Sequence, residues 1–564
     1  MDSLIRQTAG LSRRRGADVL LEILESEKVE YIFGNPGTTE LPLMDALVDS
    51  TSIRYVLALQ EASAVAMADG YAQAAHKPGF LNLHTAGGLG HGMGNLLNAS
   101  ISQTPLVVTA GQQDSRHAIT DPLLYGDLVK LAEPAVKWAR EVTSPDQLPV
   151  LMRRAFLDAV APPPGPVFLS LPMNVLEEIS DVEIGSKSLI NRRSVAGGID
   201  ELARHLASVK PGQLAIIAGD EIYASKSSDK VAKIAELLAA PVYGASWPSR
   251  IPFPTVHPLW MGNLPTTATG IASELIKYDA IFALGGKSLI TILYTEGQAV
   301  PPSCKVYQLS ADIRDLGRTY PSDFSTVGDI GASLDVLLPL LREATSGASD
   351  EYAKSYERIS TSRQEKDEAI ERLACSQFDE PIISPIVAAR EAARAIGGGI
   401  TIVDEAIATS SHLRQFLRSS SGSQYSFLRG GALGWGMPAS VGCSLGLGRE
   451  PVVSFVGDGA AMYSPQALWT AAHEELPVTF VVMNNREYNV LKKFMRSQTD
   501  YSSVRSNRYL AMDLQNPAID YVALAASMGV SARRIEKAID VAPAIEAGIK
   551  SGKTNLIEIV ISAA

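Results

Sequence analysis

Short apolar runs alternate with amphipathic stretches along most of the chain. The first third carries VEYIFG, IRYVLAL, PGFLNLH, PLVVTAG and GPVFLSLP; the middle carries QLAIIAG, PVYGAS, AIFALGG and KVYQLSA; the last third carries ITIVDE, PVVSFVG, PVTFVVMN and TNLIEIVI. Runs that are apolar throughout, rather than at every second position, are expected of strands buried on both faces. Helical patterns between them predict crossover connections and parallel sheets. The fold class is therefore α/β, with three doubly wound parallel-sheet domains. The polar stretch IGSKSLINRRSVAGG separates the first two, and EATSGASDEYAKSYERISTSRQEKDEAIERLA separates the last two. The charge of the second stretch predicts a solvated linker with a surface helix rather than core. The expected domains are residues 1–185, 186–345 and 381–564, with 346–380 as linker. The first and third are alike in size and pattern but show no convincing sequence repeat.

Length and composition add limits to this picture. At 564 residues the chain is too long for one hydrophobic core. It is 46% hydrophobic and 20% charged, as ordinary soluble proteins are. A net charge of -11 argues against non-specific nucleic-acid binding while leaving room for a local basic pocket. Cys304, Cys375 and Cys443 are far apart and form no CxxC pair, which argues against a disulfide framework or zinc site and for a reducing compartment. Ser12-Arg13-Arg14-Arg15-Gly16 imitates a twin-arginine signal, but ADVLLEILESEKVEYIF after it carries acidic residues at helical spacing. An amphipathic first helix is the better expectation. No apolar run approaches the roughly 20 residues of a membrane span. A cytoplasmic protein with neither membrane nor nucleic-acid partner is expected.

Two apolar runs end unusually. VVSFV ends at Gly457-Asp458-Gly459, and TFVVM ends at Asn484-Asn485-Arg486-Glu487. Ligands of parallel sheets bind beyond the carboxyl ends of strands, where helix N-termini and backbone groups are free. If these strands are neighbours, Asp458 and Asn485 converge on one spot. A carboxylate and an amide oxygen are hard ligands suited to Mg²⁺ or Ca²⁺, and a diphosphate, a backbone carbonyl and water would complete the shell. Taken alone, GDG reads more readily as strand-to-turn punctuation and NN as loop. The combination is more specific, and it resembles the diphosphate-binding motif of thiamine-diphosphate enzymes, which opens with GDG and closes with NN.

That resemblance implies a thiamine diphosphate cofactor with Mg²⁺ or Ca²⁺. Asp458, Asn485 and the Glu487 carbonyl would hold the metal, and Gly457, Gly459, Ala460 and Tyr488 would line the diphosphate. The three domains become pyrimidine-binding, central and diphosphate-binding. It also implies a glutamate beside the aminopyrimidine ring that promotes loss of the thiamine C2 proton. Glu61 stands where IRYVLAL meets EASAVAMADGYAQAA; a helix-start carboxylate favoured by the dipole is the other reading of that residue. In LRGGALGWGMPAS, Leu433 would support the bent cofactor and the Gly431 carbonyl would accept from its amino group, although a closely packed glycine-rich turn reads the same way. Members of this superfamily hold the cofactor across two subunits, which implies a homodimer at least and commonly a homotetramer.

Within the superfamily, FGNPGTTELP, ALQEASAVAMADGYAQA, KPGFLNLHTAGGLGHGMGNLLNA, QTPLVVTAGQQ and GDGAAMYSPQALWTAAHEELP resemble the benzoylformate decarboxylases, and the resemblance covers nearly the whole chain. It implies that Thr38 replaces a serine that binds the substrate carboxylate, that His84 orients substrate and transfers protons, and that Val490 and Phe494 line the pocket for an aromatic ring. Two departures matter. Ile292, in GGKSLITILYTEGQ, stands where those enzymes have a second catalytic histidine. VDEAIAT keeps only Thr409 of a hydroxyl pair that helps hold the diphosphate. The chain also adds His91, Arg116, His117, Arg486, Lys492 and Lys493 in or near framing segments. These are solvated surface charges by default; if one faces the pocket, the substrate carries an additional negative charge. Oxidase and acetolactate-synthase relatives bind FAD or an ADP-like group in the central domain, where QLAIIAGDEIY and ALGGKS would place it; no GxGxxG follows either strand, which argues against a nucleotide and leaves a degenerate site as the alternative. The function implied is non-oxidative decarboxylation of a 2-oxo acid to an aldehyde and CO₂, with carboligase side activity. The alternative is an acetolactate-synthase-like carboligase or an acyl-CoA lyase or decarboxylase on the same cofactor.

Overall fold

A computed structural model describes residues 13–563; Ser12, at the head of the arginine-rich stretch, lies outside them. Three six-stranded sheets, each wholly parallel, account for the apolar runs. The first runs edge to edge as Arg54–Leu57, Tyr31–Gly34, Gly79–His84, Leu106–Gln112, Val167–Pro172 and Ala139–Glu141. The third runs as Tyr425–Phe427, Thr401–Glu405, Val452–Gly457, Val478–Asn484, Asn555–Val560 and Ser531–Ile535. Numbered along the chain, both follow the order second, first, third, fourth, sixth, fifth. The two domains thus repeat one topology without a visible sequence repeat, because right-handed crossovers and buried apolar runs constrain topology without requiring particular residues.

The central sheet differs. Its order is Trp260–Asn263, Val242–Gly244, Leu214–Ala218, Ala280–Leu284, Lys305–Ser310 and Phe324–Val327. This is the 3-2-1-4-5-6 arrangement of dinucleotide-binding domains. Its switch point is closed, however. Beyond the strand ends, Gly219 N donates to Leu284 O at 2.8 Å and Glu221 N to Gly285 O at 3.1 Å. The Glu221 carboxylate occupies the crevice, accepting from Ser310 Oγ and Ala311 N, each at 2.8 Å. Burial pushes this carboxyl up to about 7.

In the three large sheets five strands were not anticipated: Ala139–Glu141, Trp260–Asn263, Phe324–Val327, Tyr425–Phe427 and Ser531–Ile535, and each lies at a sheet edge. An edge strand is short and covered on fewer sides, so it needs no continuous apolar run. In Ser531–Ile535 only Ile535 is buried.

The chain forms two compact units. One holds the chain up to Ile190 with Gly430–Glu450 and Tyr463–Leu476; the other holds Asn191–Arg429, Pro451–Met462 and the chain from Pro477 onward. In the first unit, helix Gly436–Gly446 packs on helix Glu61–Ala75. A Cβ on Gly442 would lie 1.8 Å from Met67 O, and one on Gly70 would lie 2.1 Å from Ala439 O. Only glycines permit that backbone approach. Trp435 Nε1 donates to the buried Asp69 carboxylate at 2.7 Å in the same region.

The charged stretch expected to be a solvated linker is helix Ser349–Ser376. One face is not solvated: Ile359 and Ala374 join the core of the second unit. At the other end of the chain, helix Gly16–Ser26 buries Val19, Leu20, Ile23 and Leu24. The arginines before it are structural, with Arg14 and Arg15 pairing with Ser180 and Ile179 and bridging to Glu22 and Asp45. Among the described residues no helix is long and apolar enough to cross a membrane.

Candidate active site

In the first unit, the switch point of the sheet lies between Tyr31–Gly34 and Gly79–His84. Asn35-Pro36-Gly37 leads from the first of these strands into the single turn Thr38–Glu40. Glu40 is wholly buried. Its carboxylate accepts from Gly37 N and Thr39 Oγ1, both at 2.8 Å, and lies 2.8 Å from His84 Nδ1. Thr39 Oγ1 is also 3.2 Å from that nitrogen. Two glycines make the arrangement possible. A Cβ on Gly37 would fall 2.3 Å from His84 Nδ1, and one on Gly111 would fall 1.9 Å from Glu40 Oε1. The hydrogen bond to Glu40 raises the His84 pKa above the usual imidazole value, against partial desolvation and with help from the charges of Glu40 and Glu61. Thr38, next in the chain, is exposed.

The chain turns directly from His84 into helix Thr85–Ile101 with Thr85 at φ 51°. A buried β-branched residue in the left-handed region is strained, and such strain collects at functional sites. The turn leaves His84 at the strand end.

Glu61 begins helix Glu61–Ala75 and is buried at 8% exposure. Asn35 Nδ2 donates to its Oε1 at 3.3 Å, and His91 Nδ1 lies 3.1 Å from its Oε2. Gly88 leaves just enough room, since a Cβ there would approach Glu61 Cγ at 3.0 Å. Helix Thr85–Ile101, which carries Gly88 and His91, also holds the glycine-rich turn in place. Asn98 donates to Ala432 O at 2.8 Å and accepts from Ala432 N at 3.0 Å, while Asn95 donates to Gly434 O at 3.3 Å. Leu433 between them is half-buried, and Gly431, at φ 84°, faces open space. Arg116 is paired with Asp114, its Nε at 2.9 Å, and His117 is exposed.

The second unit assembles the other group. Val452–Gly457 and Val478–Asn484 are neighbours, with Gly457 opposite Met483. Asp458 is buried; its Oδ1 accepts from Gly459 N at 2.8 Å and its Oδ2 from Arg486 N at 2.6 Å. Tyr521 Oη donates to the Asp458 carbonyl at 2.8 Å. Burial pushes the Asp458 carboxyl up to about 6 even against these amides. The two asparagines do different work. Asn484 turns inward, donating to Glu558 at 2.7 Å and accepting from Arg486 N at 3.0 Å. Asn485 is half-buried, its Oδ1 accepting from Glu487 N at 3.1 Å. Arg486, at φ 59°, reverses the chain between them and Glu487. A Cβ on Gly459 would strike the Tyr488 ring at 2.4 Å. Gly457, in contrast, faces an open cradle, with Ala406 Cα the nearest atom at 3.9 Å. Ala460 follows in the helical turn Asp458–Ala461.

Lys492 departs from the expectation of a solvated charge. It is buried and donates to Glu487 and, at 2.6 Å, to Asp513. With Tyr488 N donating to Met512 O and Leu514 N to Arg486 O, each at 2.8 Å, it ties both ends of the segment after the asparagines. Val490 and Phe494 are half-buried on helix Asn489–Arg496; Arg486 and Lys493 are exposed. Thr409 is buried and donates to the Ala406 carbonyl at 3.1 Å. Ile292 is exposed in an irregular segment, its amide donating to Thr266 O at 3.0 Å.

Three models of thiamine pyrophosphate enzymes match this architecture: the N-terminal TPP-binding domain over residues 14–124, the central domain over 199–337 and the C-terminal TPP-binding domain over 407–559. The chain belongs to the thiamine pyrophosphate enzyme family. It is 30% identical to benzoylformate decarboxylase of Pseudomonas aeruginosa over 95% of this chain and 97% of that one. It is 26% identical to the acetolactate synthase large subunit of Parasynechococcus marenigrum over 92% and 83% respectively. The solved thiamine diphosphate-dependent 4-hydroxybenzoylformate decarboxylase of Rhodococcus jostii superposes with a TM-score of 0.85 at 26% identity, over 97% of this chain and 99% of that one.

The residues present fit the family's cofactor. The cradle at Gly457 adjoins the start of a helical turn, which suits a diphosphate. Asp458, Asn485 and the Glu487 carbonyl offer only oxygen, which suits a hard cation. Among the described residues no group of three or more His, Cys, Asp or Glu side chains could hold a metal, so an ion here would need amide, carbonyl and phosphate oxygens beside the Asp458 carboxylate. Glu40 and Asn35 were not among the expected site residues. Both lie in NPGTTE, and the signal available was a carboxylate in a glycine-containing loop directly after a buried strand.

The Glu40–His84 pair gives a signed expectation. Because Glu40 holds His84 protonated to higher pH, a step requiring imidazolium persists above the ordinary histidine value of about 6.5 and fails as pH rises through the raised one. Glu40→Gln removes the anion and moves that limb of the kcat/KM profile to lower pH. An unmoved limb would assign it to another group.

Proposed function

We propose that the protein is a thiamine-diphosphate-dependent decarboxylase of a 2-oxo acid of the benzoylformate class. The observation that carries this reading is the buried Glu40 carboxylate on His84 beside the exposed Thr38 hydroxyl, at the switch point of the first sheet. A cationic imidazole and a hydroxyl together recognise a carboxylate. Bound thiamine diphosphate supplies the electron sink for carbon–carbon cleavage. Glu61 is its acid–base partner. Thr38 and His84 orient the substrate carboxylate, and His84 delivers a proton toward the product. Asp458, Asn485 and the Glu487 carbonyl hold Mg²⁺ or Ca²⁺, Gly431 and Leu433 support the cofactor, and Val490 and Phe494 line the side-chain pocket. The enzyme assembles as a homodimer at least, with a homotetramer expected, in the cytoplasm.

The closed switch point of the central sheet favours this reading over a flavin-dependent one, because Glu221 places a carboxyl where a dinucleotide's phosphates would lie. A second reading, carboligation or action on a more anionic substrate, draws on the exposed basic side chains of His117, Arg486 and Lys493 and on Ile292 in place of a histidine. Product analysis by mass with benzoylformate, pyruvate and oxalyl-CoA, with thiamine diphosphate and Mg²⁺ added, separates the two. Aldehyde and CO₂ from benzoylformate support decarboxylation. Acetolactate from pyruvate, or turnover of oxalyl-CoA alone, would replace it.

A further inference from the structure

We propose that His91 is the proton-transfer residue connecting the buried Glu61 carboxyl to water. The inference rests on the reading of Glu61 as the cofactor's acid–base partner, and His91 acts through Glu61 rather than on the reacting atoms. The Glu61 side chain is 11% exposed and the His91 side chain 65% exposed, with Nδ1 of the imidazole 3.1 Å from Glu61 Oε2. The other side chain bonded to the carboxyl, Asn35, presents an amide nitrogen at 3.3 Å. An amide nitrogen donates a hydrogen bond but does not relay a proton. Tyr55, whose charge state also senses Glu61, has a buried hydroxyl, and burial pushes its pKa far up, so it offers no route to water. His84 senses Glu61 too, but its Nδ1 is committed to Glu40.

Imidazole suits the task because its two nitrogens serve two partners. In the outward direction Glu61 gives its proton to Nδ1 while Nε2–H gives one to water, leaving a carboxylate and the other neutral tautomer of His91. The inward direction reverses each transfer. An acid–base group that is closed off from solvent needs such a carrier in every cycle, because the proton it takes up must be exchanged before the next.

The test uses the holoenzyme with thiamine diphosphate and Mg²⁺ and measures exchange of the cofactor's C2 hydrogen for deuterium by quench and NMR. His91→Gln, which keeps a hydrogen-bonding side chain but cannot relay a proton, and His91→Ala are both expected to slow exchange by about 100-fold. Cofactor affinity by calorimetry is expected to stay unchanged. Free imidazole is expected to restore exchange in His91→Ala and not in Glu61→Gln. In the apoenzyme, the ¹⁵N resonance of His91 Nδ1 is expected to move on Glu61→Gln. Wild-type exchange in His91→Gln, absence of imidazole rescue or an unmoved resonance would each overturn the relay. If Glu61→Gln itself exchanges at the wild-type rate, the role of Glu61 fails instead, which keeps the two claims separable.

Discussion

Glu61→Gln lowers turnover of every accepted substrate by about 10³-fold, the scale of a lost general acid–base group. The substitution is nearly isosteric. Its amide fits the space left by Gly88 and still meets Asn35 and His91, so the fold around it is preserved and only the exchangeable acid is lost. The measurement also separates the two readings of this residue. A carboxylate that merely begins helix Glu61–Ala75 contributes roughly 0.3–1 kcal/mol to stability through the helix dipole, and its loss would lower the thermal midpoint slightly while leaving turnover intact. Steady-state rates on the substrate panel, read beside thermal unfolding, show which quantity moves. A variant that keeps most of its turnover removes Glu61 from the chemistry.

Asp458→Asn weakens thiamine diphosphate binding in the presence of Mg²⁺ by about 100-fold, equivalent to roughly 2.7 kcal/mol. Both carboxylate oxygens now accept from amides, Gly459 N on one side and Arg486 N on the other. An asparagine can satisfy one of them and turns an N–H toward the other, and it brings no charge to a divalent ion. The apoenzyme is not expected to lose stability from the missing charge. Burial raises the folded pKa of Asp458 to about 6, so above that pH the ionised carboxylate opposes folding, and a neutral amide relieves the opposition. Titration calorimetry with and without Mg²⁺, together with thermal unfolding of the apoenzyme, reads both effects. Unchanged affinity would place the metal elsewhere.

The contrast between Asn484 and Asn485 shows how far the site was legible. The spacing of GDG and NN pointed to converging strand ends, and the strands are indeed adjacent. Nothing in the pair itself said that one asparagine would turn inward to Glu558 and only the other would stay half-exposed. Alternation along the strand decides that, together with a glutamate reached 74 residues later. Lys492 carries the same lesson with opposite sign. Its residue type argued for solvent, but Glu487 and Asp513 neutralise it in place, a pairing made by the return of the chain at Met512–Leu514.

His84 was expected to serve the chemistry, but the partner that sets its charge was not identified. Glu40 reads as an ordinary loop carboxylate, and its burial depends on the absence of side chains at Gly37 and Gly111, the latter contributed by a strand more than seventy residues away. Electrostatic tuning of this kind is a property of packing, so residue types alone do not reveal it.

The amino-acid sequence by itself determined the fold class and thirteen of the eighteen strands in the three large sheets, and it pointed to the groups proposed to anchor the cofactor. Buried parallel strands must be apolar throughout, and a hard metal with a diphosphate demands particular groups at strand ends. Tertiary structure alone decided the five edge strands, the packing of Gly436–Gly446 on Glu61–Ala75, the closure of the central crevice by Glu221 and the contacts of Glu40 with His84 and His91 with Glu61. These depend on which side chains meet across long sequence separations, and local pattern carries no record of such meetings.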